Sequence, residues 1–197
     1  MKQKPPSMSR IVEAAREEIF TSGVIGLRMS VVAAAAGTSI PLIYKYFGDR
    51  DGLVCEVFEN IYSEYMREDI LNAKKWLEIN GGKDLIGPEM LALFPNPFSE
   101  HLRERRIWIT RIIAATFELP DLRLKVEKIQ EEADQEFDEI VATVHSLIKN
   151  RDHFPASVIR SMFRGLSFGH IFTELNYGHK PKDDDWEDLI NFLLLTT

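Results

Sequence analysis

The chain has 197 residues, 45% hydrophobic and 28% charged, the proportions of a globular protein with room for one large or two small domains. A single cysteine, Cys55, excludes an internal disulfide and fits a reducing cytosol, so a cytoplasmic location is expected. No apolar run approaches the ~20 residues of a membrane span, the Met1–Pro6 start lacks an apolar signal core, and the net charge of −7 argues at first against nucleic acid.

In chain order, Ser9 is positioned to cap a first helix running to about Ser22. Ile11, Ala15 and Ile19 recur every four residues with Phe20 beside them, which predicts a buried stripe ended by Gly23. Val24 to Leu27 reads as a connector. The small, apolar run Val31 to Ala36 predicts a short, closely packed helix. Gly37 can adopt the left-handed conformation that ends it. Ser39 can cap the next helix, Pro41 falls in its first turn, and Ile43 and Phe47 share one face. Helix, tight turn and helix over about 28–47 form a helix-turn-helix, whose second helix lies in the DNA major groove.

Gly48-Asp49-Arg50 reads as a turn, with Asp49 capping a fourth helix from about Asp51 to Trp76. Val54, Val57, Phe58, Ile61 and Tyr65 form its stripe. Asn80-Gly81-Gly82 breaks the pattern before a short helix over 83–93. Pro95-Asn96-Pro97 is a second break. A helix over 98–118 turns Trp108, Ile112 and Ala115 inward, and Pro120 stops it. The next, over 121–149, carries the apolar pattern Leu122, Val126, Ile129, Ala133, Phe137, Ile140, Val144 and Leu147. Its opposite face (Glu127, Glu131, Glu132, Asp134, Asp138, Glu139) reads as solvated. Pro155 opens a helix to about Tyr177, and a last one spans 185–195. The expectation is an all-α chain of about nine helices.

Ala36-Gly37-Thr38-Ser39, then Pro41, Ile43-Tyr44, Tyr46-Phe47, Asp49-Arg50 and Leu53, resemble the N-terminal signature of TetR-type transcriptional regulators. The likeness runs from about Ser9 to about Tyr65; beyond that only the helical layout agrees. It implies a three-helix DNA-binding domain over 8–66 on a ligand-binding and dimerisation bundle over 67–197. It implies a ligand-responsive repressor, not an enzyme, that binds a palindromic operator as a homodimer and uses no cofactor. The dimer would form through the helices at about 155–177 and 185–195. The large apolar side chains of the former (Met162, Phe163, Leu166, Phe168, Ile171, Phe172) need more cover than one chain easily gives. Arg28 stands where the family usually has a capping Ser or Thr, so that cap is absent or shifted to Ser30.

Residues 1–50 carry seven basic and four acidic side chains, against 17 and 27 in the remainder. A mildly basic head on an acidic body is consistent with one end facing phosphate. Ser39, Tyr44 and Tyr46 offer hydroxyls to phosphate oxygens. Lys45 suits a phosphate or a guanine edge. Arg50 matches the family's basic phosphate contact, and Arg28 is a further candidate. Ile40, Pro41 and Leu42 occupy the groove-facing first turn, where the family commonly has polar or basic residues. They can meet thymine methyls but cannot hydrogen-bond to bases, which shifts weight to phosphate contacts and DNA shape. An effector site, implied by the family alone, has Trp108, Arg111, Phe137, His145, Phe163, His170 and Glu174 as candidate lining.

Two rival readings come from the residues. Gly165-Leu166-Ser167-Phe168-Gly169 matches the G-x-S-x-G of serine hydrolases, but the pattern around Ser167 is helical with no strand before it. The apolar Ile40-Pro41-Leu42 face would also suit a helical dimerisation module without DNA binding. The five histidines and Cys55 lack metal-ligand spacing, so no metal site is expected.

Overall fold

The structure, a computed structural model, describes residues 5–81, 96, 99–147, 155–169, 185, 186 and 188; the side chains of His145, Leu147, Phe163 and Ser167 are outside the description. The described residues are all-α, with no strand. They form α1 (Pro6–Ser22), α2 (Met29–Ala35), α3 (Ile40–Phe47), α4 (Arg50–Asn80), α5 (Arg103–Thr116, preceded by a 3-10 turn at Glu100–Leu102), α6 (Pro120–Leu147) and α7 (Ala156–Gly169). Seven α-helices are therefore present among the described residues, rather than about nine. The expected helix at 83–93 lies outside them, and of that at 185–195 only three residues are included. By packing, the chain divides into residues 1–63 with 115–127, and residues 64–114 with 128–197.

In the first unit α1, α2 and α3 pack against one another pairwise. Ile11, Ala15 and Ile19 are fully buried, as their spacing predicts. Phe20, expected beside them, is 40% exposed, and the remaining buried position of α1 belongs to Glu18. Positions 11, 15, 18 and 19 share one helical face, so the register admits Glu18 and turns Phe20 outward. Ser9 does not cap α1, because the helix starts three residues earlier with a proline in its first turn. Arg28 occupies the N-cap of α2 in an extended conformation, without a side-chain cap bond.

Gly37 closes α2 at φ 60°. Its N–H donates to the Ala34 carbonyl at 3.2 Å, and the Thr38 N–H donates to the Ala33 carbonyl at 2.9 Å. These paired bonds satisfy carbonyls at the helix end that would otherwise be orphaned. At the start of α4, Asp49 Oδ1 accepts the Gly52 N–H at 2.7 Å, the cap expected from sequence. Gly52 has a separate reason to be glycine: a Cβ there would stand 2.0 Å from the Phe47 carbonyl oxygen. Leu53, Val54, Val57 and Phe58 line the inner face of α4 with no exposure. Leu122 and Val126 of α6 are also buried in this unit, and Lys125 donates to Glu59. Burial pushes the Cys55 thiol pKa up, with Lys125 acting in the opposite direction.

In the second unit Ile70 of α4 and Ile140 and Val144 of α6 form a buried cluster, flanked by Ala73, Trp76, Leu77 and Phe137. Arg105 of α5 lies 4.9 Å over the Tyr65 ring, and donates to the Tyr65 carbonyl at 3.2 Å and to the Asp69 carboxylate. Asp134 pairs with Arg160 and Arg164 of α7, and Asp138 pairs with Arg160. These two acids are thus not part of a plain solvated face; they hold α7 on α6. The reason is long-range complementarity: two arginines four apart on α7 meet two aspartates four apart on α6.

The two glycines fail differently when a methyl is added. Gly37→Ala should cost about 1–2 kcal/mol, from left-handed strain alone, since among the described residues nothing beyond its chain neighbours lies within 4 Å of its added Cβ. Gly52→Ala should cost at least as much, roughly 1–3 kcal/mol, because a backbone oxygen must move. Urea unfolding of the two variants, with unchanged slope, checks the order.

Candidate nucleic-acid interface

An eight-residue helix cannot hold itself in water, so packing must hold α3 in place. Ile43 is fully buried and fixes the roll of the helix about its axis. Each residue advances about 100°, so Tyr44 and Lys45 are carried outward: Tyr44 is 41% exposed and Lys45 is exposed. Phe47 is half-buried, its ring centre 6.2 Å from that of Tyr46 in a T-shaped arrangement at 72°. Tyr46 is half-buried, and its hydroxyl is shared with Ser7 Oγ at 2.9 Å. Pro41 is exposed, whereas Ile40 and Leu42 are half-buried.

Ser39 stands at the N-cap of α3 with extended φ, but its hydroxyl makes no cap bond, contrary to expectation. Its carbonyl instead accepts the Leu42 and Ile43 N–H groups at 3.0 and 3.1 Å. Arg50 is occupied within the unit: it donates to the carbonyls of Val24 and Ile25. It therefore ties down the α1–α2 connector, a role invisible in a linear reading. Arg28 Nε donates to Glu18 Oε1 at 2.9 Å. Glu18 was missed from sequence; the signal for it was its place, seven residues after Ile11, on the buried face of α1.

The residues suggested for an effector divide. Trp108 is 1% exposed, with the Arg111 guanidinium 5.6 Å from the centre of its ring. Phe137 packs on the Ile70–Ile140–Val144 cluster. His170 and Glu174, and the side chains of His145 and Phe163, lie outside the described residues. A cavity of about 220 Å³ opens in the first unit between α1 and α4, and none of these seven residues lines it. Ser167 lies within α7, so the G-x-S-x-G sequence runs along a helix and not over a strand-to-helix elbow. Among the described residues no cluster of three or more His, Cys, Asp or Glu side chains could hold a metal, and no helix is long and apolar enough to cross a membrane.

Head and fold together define a helix-turn-helix protein on an all-α body. Residues 11–57 match the family model of bacterial regulatory proteins, tetR family. No curated protein matches the chain. Solved structures share its fold. A protein of Mesorhizobium loti described as a TetR-family transcriptional regulator is 20% identical, with 98% of each chain covered and a TM-score of 0.67. Salmonella enterica GusR is 13% identical, over 99% of this chain and 97% of that one, at 0.66. The fatty acid degradation regulator FadR of Bacillus halodurans is 18% identical, over 98% and 97%, at 0.61. At such identities the likeness is one of fold. With the family match over residues 11–57, the head is a helix-turn-helix domain of the tetR family of bacterial regulatory proteins, and the chain as a whole shares the fold of solved TetR-family regulators.

The two capping positions should respond differently to alanine. Asp49→Ala removes an observed cap bond and should cost about 1 kcal/mol. Ser39→Ala removes none and should leave stability within about 0.5 kcal/mol of the parent. Chemical denaturation of both variants tests the difference.

Proposed function

We propose that the protein is a ligand-responsive repressor that binds a palindromic operator as a homodimer. Residues 8–66 serve as the DNA-binding domain and residues 67–197 as the ligand-binding and dimerisation domain. The observation that carries this reading is α3: buried Ile43 anchors it, and Tyr44 and Lys45 face outward beside exposed Pro41. Lys45 and the Tyr44 hydroxyl supply phosphate contacts, and the first turn supplies apolar contact with thymine methyls. Arg28 adds a cation. Tyr46 and Arg50 act mainly by fixing the head, since their polar atoms are engaged by Ser7 and by the Val24 and Ile25 carbonyls.

Val158, Met162 and Phe168 on α7 are 50%, 38% and 44% exposed. Apolar side chains left open along one helix support dimerisation through this part of the chain. Among the described residues nothing beyond the local helix lies within 4 Å of a Cβ added at Gly165 or Gly169, which leaves room for a partner's helix to approach. Trp108, Arg111 and Phe137, with His145, Phe163, His170 and Glu174, are the proposed effector lining. The effector favours a body conformation in which the two recognition helices no longer match the half-site spacing. Such a shift requires that it bind that conformation more tightly than the other.

The test is binding to a duplex that the wild-type protein selects from a random pool, followed by fluorescence anisotropy across a salt series. Lys45→Ala should weaken binding about tenfold and lower the salt slope by about one. Tyr44→Phe should weaken it less, with the slope unchanged. A wild-type protein that enriches no duplex would favour the dimerisation module without DNA binding.

A further inference from the structure

We infer that Glu18 is a positioning residue for DNA binding. From the interior of the head it grips one edge of the Arg28 guanidinium and leaves the other edge free for a backbone phosphate. This rests on the DNA-binding reading above.

Glu18 is 8% exposed, an uncommon place for a carboxylate. A buried carboxylate is costly unless paired, and its partner is ten residues away across the α1–α2 connector. Glu18 Oε1 accepts from Arg28 Nε at 2.9 Å, and Ser22 Oγ lies 3.5 Å from the same oxygen. The Arg28 side chain is 65% exposed. Among the described residues its side chain makes a polar contact only through Nε, and neither Nη group is engaged. Its backbone is held as well: the Arg28 carbonyl accepts the Val31 and Val32 N–H groups at 3.0 and 3.2 Å. The arginine is thus fixed at its backbone and at Nε, with its terminal donors unengaged on a largely exposed side chain.

A guanidinium recognises phosphate through paired, coplanar N–H groups. In a helix-turn-helix the first helix crosses the DNA backbone, and Arg28 immediately precedes that helix. An untethered arginine must lose its rotamer freedom when it binds. One already held at Nε has lost much of it on folding. Glu18 also has an opposing effect, because its charge repels phosphate. The two effects predict opposite signs for removing it. A purely structural role, bracing the connector, predicts a third outcome: loss of affinity that does not depend on Arg28.

The experiment is a double-mutant cycle in the full-length protein. The probe is a duplex of about 30 bp, enough for two half-sites, selected by the wild-type protein from a random pool. Affinity is read by anisotropy at several salt concentrations, and each variant's melting curve is recorded separately. Arg28→Ala should weaken binding about tenfold and lower the salt slope by about one. Glu18→Leu should weaken binding about fivefold in the wild-type background and by less than about twofold beside Arg28→Ala. Glu18→Gln, whose amide oxygen still accepts from Nε, should fall between; it carries the same cycle if the leucine variant does not fold.

The inference is overturned if Glu18→Leu leaves binding unchanged or tightens it. It is equally overturned if the loss is the same with and without Arg28, or if Arg28→Ala has no effect on a duplex that the wild type binds. If the wild type selects no duplex at all, it is the DNA-binding reading that fails.

Discussion

Burial of one side chain, Ile43, governs what the head can present. The helix that carries it has only eight residues, too few to be stable alone. Its existence and its rotation about its own axis both follow from seating Ile43 in the core of the first unit. α1 contributes Ile11, Ala15 and Ile19 to that core and α2 contributes Val32, all fully buried. Small side chains along α2 let neighbouring helices come close, and the left-handed Gly37 turns the chain within a few residues. Once Ile43 is inside, helical geometry leaves Tyr44 and Lys45 no inward direction.

The polar chemistry of the head is mostly directed inward. Arg50 is held by two carbonyls of the α1–α2 connector, Tyr46 by Ser7, and Arg28 along one edge by Glu18. The basic excess counted along the first 50 residues therefore overstates the charge free to meet a polyanion. Cations that serve as braces cannot also be fully available as contacts. What such bracing offers is a rigid presentation of the few groups that remain outward, and binding that loses less conformational entropy on association.

Much of this architecture is legible in the sequence because apolar periodicity reports directly on burial. The stripes of α1 and α4, the buried Leu122, Val126, Ile140 and Val144 of α6, and the inward Trp108, Ile112 and Ala115 were readable in that way, whereas Ile129, Ala133 and Phe137 of the α6 stripe are half-buried. So were the Gly37 turn and the Asp49 cap, since both are local. What a linear reading misses is pairing at a distance. Glu18 and Arg28 are separated by a connector; Asp134 and Asp138 lie on α6, whereas their partner arginines lie on α7. Nothing in the spacing of an acidic residue says whether it faces water or an arginine. Ser39 illustrates a subtler limit: the residue type and the backbone conformation are those of a cap, yet the hydroxyl makes no cap bond. The effector candidates were the least legible. Whether an aromatic or a histidine lines a cavity or fills a core depends on how helices from distant segments pack.

The first turn of α3 narrows the account of sequence recognition. Ile40 and Leu42 are half-buried, so much of the apolar character that a linear reading assigns to the reading face serves packing instead. Pro41 remains exposed and can offer only carbon to a base edge. On the proposed reading, discrimination by hydrogen bonding is confined to Lys45 and the hydroxyl groups, and a single lysine is a flexible point charge without the geometry of a fork. On the proposed reading, the remaining selectivity must come from properties that need no base-edge donor: the thymine methyl pattern, and the cost of deforming the duplex to the spacing that two rigid heads require. A recognition helix with so little hydrogen-bonding capacity makes rigidity of the head more consequential, because shape is only read by a surface that does not itself yield.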